Sequence, residues 1–185
     1  MTLITRRGLI LAGGASLGLA ACGNGVGGSG AIKIDARVDA TRDYMRANFP
    51  KASQEMSQAA GVLYMPLITE AGFMFGGAFG RGALRINDVT VDYYSAAQAS
   101  WGLQIGAQQY AHVLLFMTPD ALARFRAAQG WEAGADMVYA LPTGGEAAGV
   151  ASTSTQAPVI AYVFGQAGLI AGATLKGTKY TRIIP

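Results

Sequence analysis

The chain has 185 residues, a formal net charge of +3, one cysteine and one histidine. That length suits one domain with a real core. A lone histidine leaves no His/Cys/Asp cluster for a metal, and a lone cysteine excludes an internal disulfide. Two of the cations, Arg6 and Arg7, sit in an N-terminal signal described next; without them the charges nearly balance, which excludes the clustered cations that nucleic-acid binding needs.

Arg6-Arg7 is followed by an apolar run from Gly8 to Leu19 and then by Leu19-Ala20-Ala21-Cys22. A basic start, a short apolar stretch and small residues before a cysteine make a lipoprotein export signal. The run falls short of the roughly 20 apolar residues that a spanning helix requires. Thr5-Arg6-Arg7-Gly8-Leu9-Ile10 also has the form of a twin-arginine motif, so Arg6 and Arg7 are the signal-recognition residues. Residues 1–21 are therefore expected to be the signal. Cys22 is expected to be the lipidated residue, bearing fatty acyl groups such as palmitate, and residues 22–30 a flexible glycine-rich tether. The expected location is the cell envelope, lipid-anchored and facing the periplasm. Gly23, rather than an aspartate, after the cysteine favours the outer membrane.

Residues 31–185 read as a single domain. From Ala31 to Phe49 the pattern is helical, with Ile34, Val38, Thr41, Met45 and Phe49 on one stripe. Lys33 and Arg37 flank one side of that stripe and Arg42 and Arg46 the other, the geometry of a helix lying on a membrane. Asp35, Asp39 and Asp43 weaken that picture, and a core-covering helix with a solvated face is the more ordinary use. A second short helix is predicted over Lys51 to Ala60.

Beyond Gly61 the period becomes two. Val62 to Ile68 reads as a strand interrupted by Pro66, Gly72 to Gly80 as another, and Asn87-Asp88 as a turn between Ala83-Leu84-Arg85-Ile86 and Val89-Thr90-Val91. Between Ala99 and Met117 every odd position is apolar except Gln109, either as one long curved strand or as two joined pieces. Thr118-Pro119-Asp120 supplies a helix start, with Leu122 and Phe125 as packing residues and Gly130 as the stop. Strands follow over Trp131 to Leu141, Val159 to Phe164, Leu169 to Leu175 and Thr178 to Ile184. The predicted class is α+β: a mainly antiparallel, strongly curved sheet or partial barrel with two N-terminal helices and one short helix between strands.

No nucleophile elbow or convergent acid–base pair stands out, so no catalytic residue, metal or cofactor is expected. Gln104, Gln108 and His112 share the face of the Ala99–Met117 segment opposite the apolar one, where they form a candidate polar groove. The wet side of a half-buried sheet is the ordinary alternative. Lys176, Lys179 and Arg182, joined by Arg81 and Arg85, are a second group of cations for an anionic lipid, beside Lys33, Arg37, Arg42 and Arg46 on the first helix.

Several motifs together carry a resemblance. Gly61-Val62-Leu63-Tyr64-Met65-Pro66, Ala99-Ser100-Trp101-Gly102-Leu103-Gln104 and Trp131-Glu132-x-Gly134-Ala135-Asp136 recur in order with Gly168-Leu169-x-Ala171-Gly172 and Leu175-x-Gly177. From about Lys51 to Arg182 the chain resembles the SYLF-domain family. The resemblance implies a non-enzymatic domain that binds phospholipid, with bacterial members often lipoproteins and some eukaryotic members binding actin, a partner that an exported chain is not expected to meet. The family's phenylalanine before the proline is Met65 here, and Thr69-Glu70 stands where basic residues often follow. Glu132 and Asp136 are expected to hold turns or to pair with Arg81 or Arg85. A structural or protein-interaction module that uses its lipid only as an anchor is the alternative function.

Overall fold

The computed structural model describes residues 28–73, 75–101, 106–134, 137–139, 157–165, 168, 169, 175 and 177–185. Arg6, Arg7, Cys22, Gln104, Asp136 and Lys176 lie outside them. Helix α1 (Ser29–Asn48) buries Ala31, Ile34, Val38, Thr41 and Met45, the stripe expected from the three- and four-residue spacing. Phe49 breaks it, and Pro50, tolerated at the first helical position, opens α2 (Pro50–Gln58).

The strands are longer than the local pattern suggests. β1 (Gly61–Phe73) runs straight through Pro66, and β2 (Phe75–Ile86) joins most of the predicted Gly72–Gly80 segment to Ala83–Ile86, while Gly72 and Phe73 end β1 and pair back onto β2. Pro66 shifts the pairing instead of ending the strand: the register slips between Tyr64 and Leu67 against β2 and between Met65 and Ile68 against β4 (Gly106–Phe116). A proline cannot donate to the ladder, so a bulge is where a sheet tolerates it. The bulged backbone presses on Gly82, where an added Cβ would run into the Tyr64 carbonyl oxygen and lie 2.6 Å from the Met65 sulfur. The Asn87–Asp88 turn forms as read, with both residues at positive φ, and leads into β3 (Val89–Trp101). The alternating segment is thus two strands, β3 and β4, and they are not neighbours, since β2 and β1 lie between them.

Thr118 caps α3 (Pro119–Ala127) by accepting the Ala121 amide at 3.2 Å, and Leu122 and Phe125 point into the core as expected. β5 (Trp131–Glu132) and β6 (Met137–Tyr139) replace the single strand predicted over Trp131 to Leu141. β7 (Val159–Gly165), β8 (Gly168–Leu169) and β9 (Lys179–Ile183) complete the described elements.

These strands form one sheet in the order β5-β9-β3-β2-β1-β4-β7-β6, with β8 on β7, antiparallel except for the β6–β7 pair. β5 and β6 stand at opposite edges although five residue steps separate Glu132 from Met137. At the extension limit of about 3.5 Å per residue those steps span roughly 17 Å, so the two edges are brought close together and the sheet is curled into a partial barrel. The α+β class, the curvature and the three helices agree with the sequence expectation.

Curling creates two cores. Leu63, Met65, Leu84, Tyr94, Leu114, Phe116 and Tyr180 fill the concave interior, plugged by Leu122 and Phe125 of α3. Val62, Tyr64, Ala83, Tyr93, Val113, Leu115 and Tyr162 form the second, on the convex face beneath α1 and α2. The apolar odd positions of β4 therefore meet the helices, while its even positions His112, Leu114 and Phe116 are equally buried inside. A half-buried strand with a wet face is the wrong description of this segment.

Candidate functional site

Helix α1 crosses the convex face from β9 to β7. Its start, at Gly30, abuts the backbone of Pro185, and near its end Tyr44 stacks on Phe164 at 5.6 Å. One flank is fastened to the sheet by charge. Arg85 of β2, buried under the helix, donates to Asp39 at 2.7 Å and to Thr90 at 3.2 Å, while Asp35 accepts from Thr90 at 2.8 Å and from the Tyr93 hydroxyl at 2.6 Å. The Arg85 hydrogen bond holds the Asp39 carboxyl below its ordinary range, with the Arg85 and Arg42 charges adding to it against partial desolvation. Burial, the bond to Asp35 and its charge push the Tyr93 hydroxyl up to about 12. Arg85 thus takes its acids from α1 and not from Glu132, while Asp136 lies outside the described residues.

The same flank absorbs two of the candidate cations. Arg42 pairs with Asp39 at 3.2 Å and with Asp43 at 2.9 Å, and Arg46 pairs with Asp88 of the β2–β3 turn at 2.8 Å. Asp43 stands three residues before Arg46, at a spacing suited to pairing on a helix, yet a turn residue 42 positions away is the partner. Lys33 and Arg37 lie on the other flank, which they share with Tyr44: steps of eleven and seven residues return to within about 20° on a 3.6-residue helix. Both are exposed, and neither has an ion-pair partner among the described residues.

The C-terminal cations divide as well. Arg182 shares Asp92 with Arg126, at 3.4 and 3.0 Å, and also donates to the Arg126 carbonyl oxygen at 3.3 Å. Lys179 is exposed, with its stem over Gly130 and Glu132 in register beside it. Arg81 is exposed on the convex face with its guanidinium 6.0 Å from the centre of the Phe79 ring. The seven predicted cations are therefore not one surface. Arg42, Arg46 and Arg182 are neutralised, whereas Lys33, Arg37 and Lys179 are not.

The predicted polar groove does not form around His112. That side chain is fully buried on the concave side, where Nε2 and the Tyr180 hydroxyl stand 2.8 Å apart and Nδ1 has no partner among the described residues. Burial alone lowers its pKa to about 3, so it is a neutral core residue and no headgroup ligand. Gln108 sits on the same strand but is exposed near the rim. Alternation along the strand puts Gln108 and His112 on one face correctly; the depth of the barrel separates them. A second buried polar pair, Tyr162 donating to Glu55 at 2.5 Å, fastens α2 to β7, with Lys51 3.9 Å from the other carboxylate oxygen. Burial first, and then the bond to Glu55, push the Tyr162 hydroxyl upward. No sequence motif announces this pair, because its partners are 107 residues apart.

A groove of about 270 Å³ opens at the end of α1, lined by Tyr44, the bulge residues Pro66 and Leu67, Gln109, Tyr110 and Phe164. It presents aromatic rings and one amide, and the Tyr110 hydroxyl, pushed up to about 12 by burial and by the Glu70 charge, stays protonated. Among the described residues no helix is long and apolar enough to cross a membrane, and no three His, Cys, Asp or Glu side chains converge as metal ligands.

No curated protein matches the chain significantly. The family model described as "Ysc84: Las17-binding protein actin regulator", the SYLF domain, matches residues 97–182, from the end of β3 through α3 to β9. That stretch contributes both core-facing sides of β4, the plug helix and the edge strand that carries Tyr180. The match falls on the same ordered motifs that run from Trp101 to Gly177 in the sequence, and over residues 97–182 the chain is similar to the SYLF-domain family.

Proposed function

We propose that this protein is an exported envelope lipoprotein, anchored through Cys22, whose SYLF domain binds phospholipid without catalysing a reaction. The observation that carries the reading is the run Leu19-Ala20-Ala21-Cys22 after Arg6-Arg7 and an apolar stretch, placed six residues before Gly28, the cap of α1. A thioether-linked diacylglyceryl group on Cys22 would hold the domain against the bilayer, and two chains anchor stably where one is marginal. The family's printed description as an actin regulator does not suit an exported chain, so a lipid surface is the favoured partner. The alternative, an interaction module that uses the lipid for location only, is separated by whether the domain itself contacts membranes.

The anchor is tested with Cys22→Ser. The wild-type protein should partition into the detergent phase, resist extraction by high salt and carry the mass of its acyl groups. The variant should move to the aqueous phase without that mass. Equal partition and no acyl mass in the wild type would sink the lipoprotein reading.

A further inference from the structure

Along the strands, α1 covers only the half of the convex face nearest the Asn87–Asp88 turn. Beyond Ala83, Tyr93 and Tyr64, which lie under the helix, the outward side chains are exposed: Arg81, Phe79 and Gly77 on β2, Ala97 and Ala99 on β3, Thr69 on β1. Apart from Arg81 and Phe79 they are small, so side chains add little relief to this part of the sheet, and Phe79, 52% exposed, stands out from it. The free flank of α1 borders this area, because Tyr44 on that flank reaches Leu67 and Gln109. Lys33 and Arg37 therefore look onto the same face as Arg81. Lys179, opposite Ala97 on β9, closes the third side with Glu132 as the acid at its edge.

The distribution of ion pairs gives this face its character. Arg42, Arg46, Arg85, Arg126 and Arg182 each have a carboxylate within 4 Å, and all their partners lie on the opposite flank of α1 or at the turn end of the sheet. Lys33, Arg37, Arg81 and Lys179 have no ion pair among the described residues. The acids of these pairs thus lie away from the uncovered face, with Glu132 alone at its edge among the acids described above, and cations remain around it.

We infer that this uncovered half of the convex sheet face, with Lys33, Arg37, Arg81 and Lys179 around Phe79, is the surface that lies on a bilayer containing anionic phospholipid. The inference rests on the phospholipid-binding reading above and names where that contact is made. Charge complementarity favours an anionic surface, and the small side chains around Phe79 let the sheet approach it closely. Phe79 beneath the Arg81 guanidinium is an amphipathic pair, with a ring for the acyl boundary and a charge for the headgroups. The anchor geometry agrees: six residue steps from Cys22 to Gly28 reach at most about 21 Å, and Lys33 is little more than one turn into α1.

Sedimentation of the full chain with vesicles of phosphatidylcholine, alone or with phosphatidylglycerol, tests this. Every arm carries Cys22→Ser and the same residues 1–27, whose contribution cancels in ratios of binding constants. Removing three surface cations at about fivefold each, Lys33→Gln/Arg37→Gln/Arg81→Gln should lower binding to the anionic vesicles by on the order of a hundredfold at low salt and far less at high salt. Phe79→Ser should weaken binding to both vesicle types. Arg124→Gln, which removes an exposed cation from α3, should change little. Thermal melts confirm that each variant is folded. Undiminished binding by the triple variant, or an equal loss from Arg124→Gln, would overturn the assignment of the face while leaving phospholipid binding intact. A parent chain that binds neither vesicle would remove the phospholipid reading itself and favour a protein partner.

Discussion

His112 is the only histidine in the chain, and its burial makes stability depend on pH. Its pKa falls from an ordinary 6.5 to about 3 in the folded protein. Between those values the unfolded chain binds a proton that the folded chain excludes, so stability is full above pH 6.5 and declines as the pH drops. The slope approaches 1.4 kcal/mol per pH unit, which amounts to about 2 kcal/mol between pH 7 and pH 5. Against a total of roughly 5–15 kcal/mol for a domain, that is readily measured. Asp39 acts with the same sign but at lower pH, since its lowered pKa gives stability that is lost only as the pH falls below its ordinary 3.8. Urea unfolding at pH 7, 6 and 5 should show the midpoint falling with pH at constant cooperativity. His112→Gln, which keeps a polar atom toward Tyr180 but has nothing to titrate, should be less stable at pH 7 and nearly flat across the same window. A wild-type protein as stable at pH 5 as at pH 7, or a variant that retains the full slope, would refute a buried neutral histidine.

Two further substitutions probe the fold. Gly82→Ala should cost about 3 kcal/mol, because the new methyl meets the fixed Tyr64 carbonyl of the bulge and the Met65 sulfur, whereas Gly134→Ala, facing open space, should leave the melting temperature nearly unchanged. Equal melting temperatures for the two would mean that the bulge does not press on β2. Thr118→Ala removes the acceptor for the Ala121 amide and should cost about 1 kcal/mol, read as a shift of the denaturant midpoint; no shift would show that water caps α3 equally well.

The parts of this fold that can be read from sequence are those whose partners are close in the chain. The α1 stripe, the Asn87–Asp88 turn and the Thr118 cap each depend on residues within a few positions, and all three form as read. Long-range features behave differently. Alternation placed Leu115 and His112 on opposite faces correctly, but whether a face is wet depends on what lies over it. Here α1 covers one side, and the curl of the sheet, set by a bulge at Pro66 against Gly82, closes the other. The candidate cations show the same limit. Helical spacing put Lys33 and Arg37 on one flank and Arg42 and Arg46 on the other, yet only the tertiary position of Asp88, Arg85 and Asp92 decides which of the candidate charges are neutralised. The Glu55–Tyr162 pair had no local signal at all.

Docking of α1 also decides between two uses of an amphipathic helix. To lie on a membrane with its apolar stripe down, α1 would have to leave the sheet; Ile34, Val38 and Met45 would be buried again in the acyl boundary, but the residues they cover, Val62, Tyr64 and Tyr93 among them, would be left exposed. Burial of a side chain of that kind contributes about 1.5–3 kcal/mol, so uncovering those three forfeits on the order of 5 kcal/mol before the Asp35, Asp39 and Arg85 network is counted. Attraction of a surface cation to an anionic leaflet returns about 1 kcal/mol each. Burial outweighs that attraction, and the membrane would gain no new cations from release, since Arg42 and Arg46 already carry their own carboxylates. The stripe therefore belongs to the core, and the exposed flank with Lys33 and Arg37 is the part of α1 left to meet a surface. A helix that looks like a membrane anchor in sequence serves here as a wall, and its free edge borders the proposed contact face.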